Sequence, residues 1–187
     1  MTKLEWIAQI IGIVAMGIII LSYQQKKQST VIAFQLFGSA LFAINFFMLG
    51  AIMGGLLNFI AIIRAIVFLN KKKLNSNNIW WTIAFECIYL ISYALTFTVF
   101  EKPFNLTNII VEILPIIGMT ATTLAYRHED SSKTRKYGLI NSPLWLIYNF
   151  INFSVGAIIG EVLSLVSIIL GIIRLDLKKE KGEISNE

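Results

Sequence analysis

The stretch Asn141-Ser-Pro-Leu-Trp-Leu-Ile-Tyr-Asn149, running on to Gly156-Ala-Ile-Ile-Gly-Glu161, reads as an apolar helix, a tight glycine turn and the start of a second apolar helix. A weaker copy stands upstream, where Ser39-Ala-Leu-Phe-Ala-Ile-Asn45 leads to Gly50-Ala-Ile-Met-Gly54. Setting Gly50 against Gly156, an offset of 106, also pairs Ala51 with Ala157, Gly54 with Gly160, Leu57 with Leu163 and Ile62 with Ile168. Aliphatic helices match one another readily, so the shared glycine spacing carries more weight than the identities, and it indicates an internal duplication.

Of the 187 residues, 56% are hydrophobic and 14% charged, against about 25% charged in soluble domains. Apolar runs close to the ~17 to 25 residues that span hydrocarbon recur almost end to end. A polytopic membrane protein is the reading, and the lipid bilayer is its first partner. No small-residue cleavage site and polar domain follow the first run, which is therefore read as a retained helix. Cys87 is the single cysteine, which excludes an intramolecular disulfide.

Seven helices are expected: Trp6 to Tyr23, Val31 to Leu49, Ala51 to Leu69, Ile79 to Thr98, Leu106 to Tyr126, Leu139 to Phe153 and Gly156 to Leu175. The duplication reaches the first helix of each half at an offset of 103, where Leu21-Ser-Tyr-Gln24 meets Leu124-Ala-Tyr-Arg127. The change from 103 to 106 implies three extra residues after Tyr126. The expected fold is an all-α membrane protein with seven transmembrane helices. Two parallel three-helix repeats, residues 1–73 and 104–177, are joined by a linker helix within 74–103, and a polar tail follows from 178 to 187. Parallel repeats of this kind occur in transporters that bind substrate between repeats.

Thirteen of the sixteen Lys and Arg fall in segments 26–27, 71–73, 127–136 and 174–181, which seven spans place on one face. Only Lys3 and Lys102 fall on the other, and Arg64 lies inside a helix. By the positive-inside rule the N-terminus is outside and the C-terminus cytoplasmic. The net charge of +5 is thus accounted for by orientation, and nucleic acid is not an expected partner. A homodimer is left open.

No catalytic constellation stands out. His128 is the single histidine and sits in a charged loop. Neither a paired-cysteine metal pattern nor a phosphate-binding glycine loop is present. No enzyme activity, metal or cofactor is expected. Ionisable residues at membrane depth are a better lead, since they mark a pathway or a pair. Arg64, near the end of the third helix, and Glu86, near the start of the fourth, lie at similar depth, which permits an ion pair between them; snorkelling of Arg64 to the headgroups is the other reading. Glu112 and Glu161 lie toward the outer half. Asn45, Asn58, Asn149, Asn152, Ser39, Ser164 and Gln35 add a polar stripe. Trp145 and Tyr148 are three apart and share a helix face, and Trp145 lies deeper than an interfacial belt. Pro143 is placed near a helix start. Pro115 aligns with Gly12, and both loosen a helix at one level, where a rocking bundle would hinge.

With Leu21-Ser-Tyr-Gln-Gln-Lys26, Gly50-Ala-Ile-Met-Gly54 and Asn141 to Asn149, nearly the whole chain resembles the YgjV family of bacterial inner-membrane proteins. More remotely, the triplet–linker–triplet plan is similar to the SWEET sugar transporters and the PQ-loop superfamily, and Leu144-Trp-Leu-Ile-Tyr148 to a second-helix segment of the half-size SemiSWEETs. The transporter resemblance implies a pocket between the triplets, with Trp145 and Ser39 from the second helices, Asn58 from the third helix of the first half, and Glu161 or Ser164 opposite. Tyr148 joins this candidate ligand set. The proline–glutamine pair of those transporters is absent, with Tyr23-Gln24 and Tyr126-Arg127 in its place. Two functions remain open: a transporter or facilitator of a small polar solute, sugar or other, and a non-transporting assembly, regulatory or lipid-handling protein on the same scaffold.

Overall fold

The computed structural model of the chain describes residues 3–49, 52–151 and 155–178. The Gly50 turn, Asn152, Phe153 and the tail beyond residue 178 lie outside the described residues.

Helix α1 spans Lys3–Ser22, α2 Gln28–Met48, α3 Ile52–Leu69, α4 Lys71–Leu74, α5 Ile79–Thr98, α6 Leu106–Arg127, α7 Ser131–Ile151 and α8 Val155–Gly171. A π-helical segment, Ile172–Asp176, continues α8. The all-helical expectation holds, and no strand occurs among the described residues. Among the described residues the helix count is eight rather than seven. The additional element is α4, a single basic turn that ends where Asn75 takes φ 47°, a conformation asparagine adopts more readily than most side chains. Polar caps set two starts. Asn78 accepts from the Trp80 amide at 3.1 Å before α5, and Asn105 accepts from the Asn108 amide at 2.9 Å before α6.

Helix α7 starts at Ser131, eight residues before the expected Leu139. Lys133, Arg135 and Lys136 in its opening turns resemble loop sequence, but a helix whose first turns lie outside the hydrocarbon carries charge there. Pro143 consequently lies well inside α7 rather than near its start. Gly156 is the second residue of α8 and not part of the turn before it.

Segments 28–48, 79–98, 106–127 and 157–176 are long and apolar enough to cross a membrane, and 6–22 and 54–69 are shorter apolar helices. Large apolar side chains such as Ile10, Ile13, Phe37, Ile91 and Phe150 are exposed on the outside of the bundle. Gln28, Gln35, Arg64, Thr123, Arg135 and Ser142 are buried within it. A hydrocarbon solvent favours that distribution.

Helices α1, α2 and α3 pack in sequence, as do α6, α7 and α8, and α5 lies against α6 and α3. Between the two sets, α1 meets α8, α2 meets α7 and α3 meets α6. Helices α6, α7 and α8 each start 103 positions after α1, α2 and α3. The three residues expected after Tyr126 are therefore not inserted: residues 128–130 form a shorter connection than residues 23–27. The glycine match at 106 is displaced by three residues, nearly one turn. Such a shift leaves apolar residues on nearly the same helix face, so an aliphatic pair scores well in both registers.

Candidate functional site

At one end of the bundle the two sets of helices are tied together by polar groups. Lys27 and Asp130 form an isolated antiparallel β-bridge. Gln28 reaches from the start of α2 to donate to the Ala125 carbonyl (3.1 Å) and to accept from Thr134 (3.0 Å). Ser131 donates to the Lys26 carbonyl (2.8 Å). Tyr126 donates to Gln35, which in turn donates to Ser22 at 3.1 Å. On the other flank Gln24 donates to the Ser167 carbonyl (2.7 Å) and hydroxyl (2.9 Å). We call this the basic end, because Lys26, Lys27, Lys71–Lys73 and Arg127 gather there.

The strongest tie there is Arg135. Its side chain, 2% exposed, donates from Nε to Asp176 Oδ2 at 3.0 Å and from Nη1 to the Gln25 carbonyl at 2.9 Å, and it pairs with Asp176 through Nη2. One buried side chain thus fastens α7, the π-helical continuation of α8 and the α1–α2 connection. Gly171 makes room for it, since a Cβ there would stand 2.6 Å from the Tyr23 carbonyl oxygen and 2.7 Å from Arg135 Cδ. Neither residue was legible as a partner, because both sit in stretches that count simply as basic-face charge.

Deeper in, an apolar and aromatic cluster joins Ile32, Ala65, Phe68, Phe85, Tyr89, Met119 and Tyr126, with Leu57, Ile116 and Trp145 packed against it. Arg64 is embedded here. Its Nη1 donates to Tyr89 Oη (3.0 Å), the Met119 carbonyl (3.1 Å) and Thr123 Oγ1 (3.4 Å), and its Cζ lies 5.2 Å from the Tyr126 ring centroid. Neither sequence reading of Arg64 holds: it is buried rather than snorkelling to the headgroups, and the ion pair with Glu86 is not formed. Glu86 turns to α6, where Thr120 donates to Oε2 at 2.7 Å, and its Oε1 is buried without a partner. Tyr89, one turn along α5 from Glu86, occupies the place beside Arg64 that the carboxylate would need.

The other sequence candidates fall into separate groups. Trp145 and Tyr148 stack edge to face with centroids 5.7 Å apart, and Tyr148 is hydrogen-bonded to Glu112. Glu112 is ion-paired with Lys102, so this group lies on the α6–α7 side. Glu161 is partly buried and held by Ser142 of α7. Ser164 is buried, and Ser39 is partly buried. Asn58 donates to Gly54 of its own helix at 2.9 Å. In the 103-residue register Ser39 corresponds to Ser142 and not to Trp145, and Asn58 corresponds to Glu161. Gly12 lies within α1 against Asn45, whose amide donates to the Ala8 carbonyl at 2.6 Å; Pro115 is buried inside α6.

A cavity of about 360 Å³ opens at the basic end, lined by Gln28, Ile32, Phe68, Lys71–Lys73 and Glu129 among others. Lys71 closes one wall by donating to the His128 carbonyl at 2.7 Å and pairing with Glu129 at 3.0 Å. Among the described residues no cluster of His, Cys, Asp and Glu is placed to hold a metal ion.

A family model described as Imp-YgjV, bacterial inner membrane protein, matches residues 6–179. No curated protein and no solved structure matches the chain.

Proposed function

The chain belongs to the YgjV family of bacterial inner membrane proteins, and from that premise we propose that it moves a small polar solute by rocking two parallel three-helix repeats about a pseudo-two-fold axis. The repeats are α1–α3 and α6–α8, with α5 as linker, the N-terminus outside and the basic end in the cytoplasm.

One observation carries this reading: contacts between the two sets recur in a single register. Arg64 on α3 donates to Thr123 on α6, and Ser167 on α8 donates to the Ile20 carbonyl on α1 at 2.7 Å. Residue 167 is 103 positions after 64, and 123 is 103 after 20. The bridged residues Lys27 and Asp130 are again 103 apart. Such an interface is the kind along which repeats exchange access. In this conformation its basic end is closed by neutral hydrogen bonds, each worth about 0.5 to 1.5 kcal/mol net, and by the charged donors Arg135 and Lys71, whose bonds to the Gln25 and His128 carbonyls are worth about 1.5 to 3 kcal/mol each and must be exchanged on opening. On this reading the separate groups formed by Trp145 with Tyr148, by Glu161 with Ser142, and by Asn58, Ser39 and Ser164 would meet the path only as the repeats part, and Gly12 and Pro115 are its hinges.

The test is a disulfide across the bridge. Lys27→Cys with Asp130→Cys, in a Cys87→Ser background, is reconstituted into liposomes and assayed for counterflow of pooled sugars, amino acids, organic acids and polyamines. Uptake of one class, blocked by oxidation and restored by reductant, is the expected result. Absence of uptake for every class favours the non-transporting reading, for which the dense aromatic cluster around Phe68 and Tyr126 is the supporting observation.

A further inference from the structure

We propose that the Nε–Nη2 edge of Arg64 is the anchor for the carboxylate of a small organic anion, which deepens the transport reading above and rests on it. Arg64 is 6% exposed, and among the described residues no carboxylate pairs with it. All its hydrogen bonds within 3.5 Å leave from Nη1, so three acceptors crowd a nitrogen that bears two hydrogens. Nε, by contrast, is buried with no partner. The edge of the planar guanidinium that makes no hydrogen bond within 3.5 Å, Nε with Nη2, is the one whose two parallel N–H groups match a carboxylate fork.

The architecture does not require a cation at this position. The corresponding residue of the other repeat, Ser167, ties α8 to α1 with a neutral hydroxyl. Arg64 therefore brings to the seam a charge that the fold meets only with neutral acceptors and the Tyr126 ring, and buried charge persists where a partner or ligand meets it. Its location suits a solute: it lies six residues, about 9 Å of helix, closer to the basic end than Asn58. A solute entering from the opposite end along the seam would meet Arg64 just before the closed layer formed by Tyr126 and Gln35.

The experiment follows the melting temperature of the purified protein in detergent. Lactate, succinate and glutamate are titrated beside their methyl esters, glucose and sodium chloride of matched ionic strength. At least one acid is expected to raise the melting temperature saturably, by roughly 5 °C at a hundredfold excess over its Kd. Its ester and sodium chloride should be without effect, and Arg64→Lys should weaken binding at least tenfold. If Arg64→Lys does not fold, the contrast between acid and ester in the unaltered protein decides. No stabilisation by any acid, equal stabilisation by an ester, or unchanged affinity in Arg64→Lys overturns the proposal. The two readings fail separately: acid binding without counterflow sinks transport alone, and counterflow of neutral solutes without acid binding sinks the anion site alone.

Discussion

Lys27 and Asp130 stand 103 positions apart in the chain and face one another across an antiparallel β-bridge. A two-fold axis passing between two copies of a connection brings equivalent residues together in this way. Bridged Cα atoms in such pairs are about 4.5 to 5.5 Å apart, within the range a disulfide spans. The Lys27→Cys, Asp130→Cys variant should therefore cross-link spontaneously in oxidising buffer, read as a mobility shift that reductant reverses. No cross-link under conditions that oxidise exposed cysteines would remove the bridge from the account.

Breaking the Arg135–Asp176 pair should be the most damaging single polar change. Asp176→Asn leaves a buried guanidinium facing neutral groups, and loss of one partner of a buried pair costs about 3 to 5 kcal/mol. Thermal unfolding in detergent should show a marked loss of stability, whereas Tyr126→Phe, which removes one neutral bond to Gln35, should cost about 1 kcal/mol. Equal stability of the two variants would contradict the ranking.

Gly118 is a point of close approach between α6 and α7. A Cβ there would meet Asn141 Oδ1 at 2.6 Å and the Trp145 ring at 3.2 Å. Gly118→Ala should cost about 1 to 3 kcal/mol through overpacking and alter Trp145 emission in a protein whose other three tryptophans are Phe. Unchanged emission and stability would mean that the helices can part without loss.

Ser142 is 1% exposed and meets Glu161. Glu161→Gln preserves an acceptor for its hydroxyl and should leave stability nearly intact. Glu161→Leu orphans that hydroxyl and should cost about 1 to 3 kcal/mol. A Leu variant as stable as the Gln variant would show that Ser142 finds another acceptor.

The helices were legible because hydrocarbon demands long apolar runs, and six of the seven expected spans coincide with observed helices to within about three residues. The remaining one, α7, begins eight residues earlier than expected, because Lys133, Arg135 and Lys136 resemble loop sequence. The duplication was visible from Tyr23 and Tyr126, but its register in the second and third helices was not, because aliphatic positions three apart are nearly interchangeable. Arg64 stood out as a buried charge, yet its partners Tyr89, Thr123 and the Met119 carbonyl lie on α5 and α6, 25 to 59 residues away, with no periodicity to announce them. The sequence offered Glu86 because opposite charges at equal depth invite pairing; which helix face each occupies is decided by packing.

The central claim, that the two helix triplets rock apart at their basic end, is tested most directly by a distance measurement across it. Spin labels at Lys26→Cys and Lys136→Cys, both exposed, in a Cys87→Ser background reconstituted into liposomes, report that separation by pulsed electron resonance. Two populations are expected, one at the distance of the closed end described here and one longer by several ångströms. A single narrow distribution at the closed distance, unmoved by any solute of the counterflow pool, would contradict it.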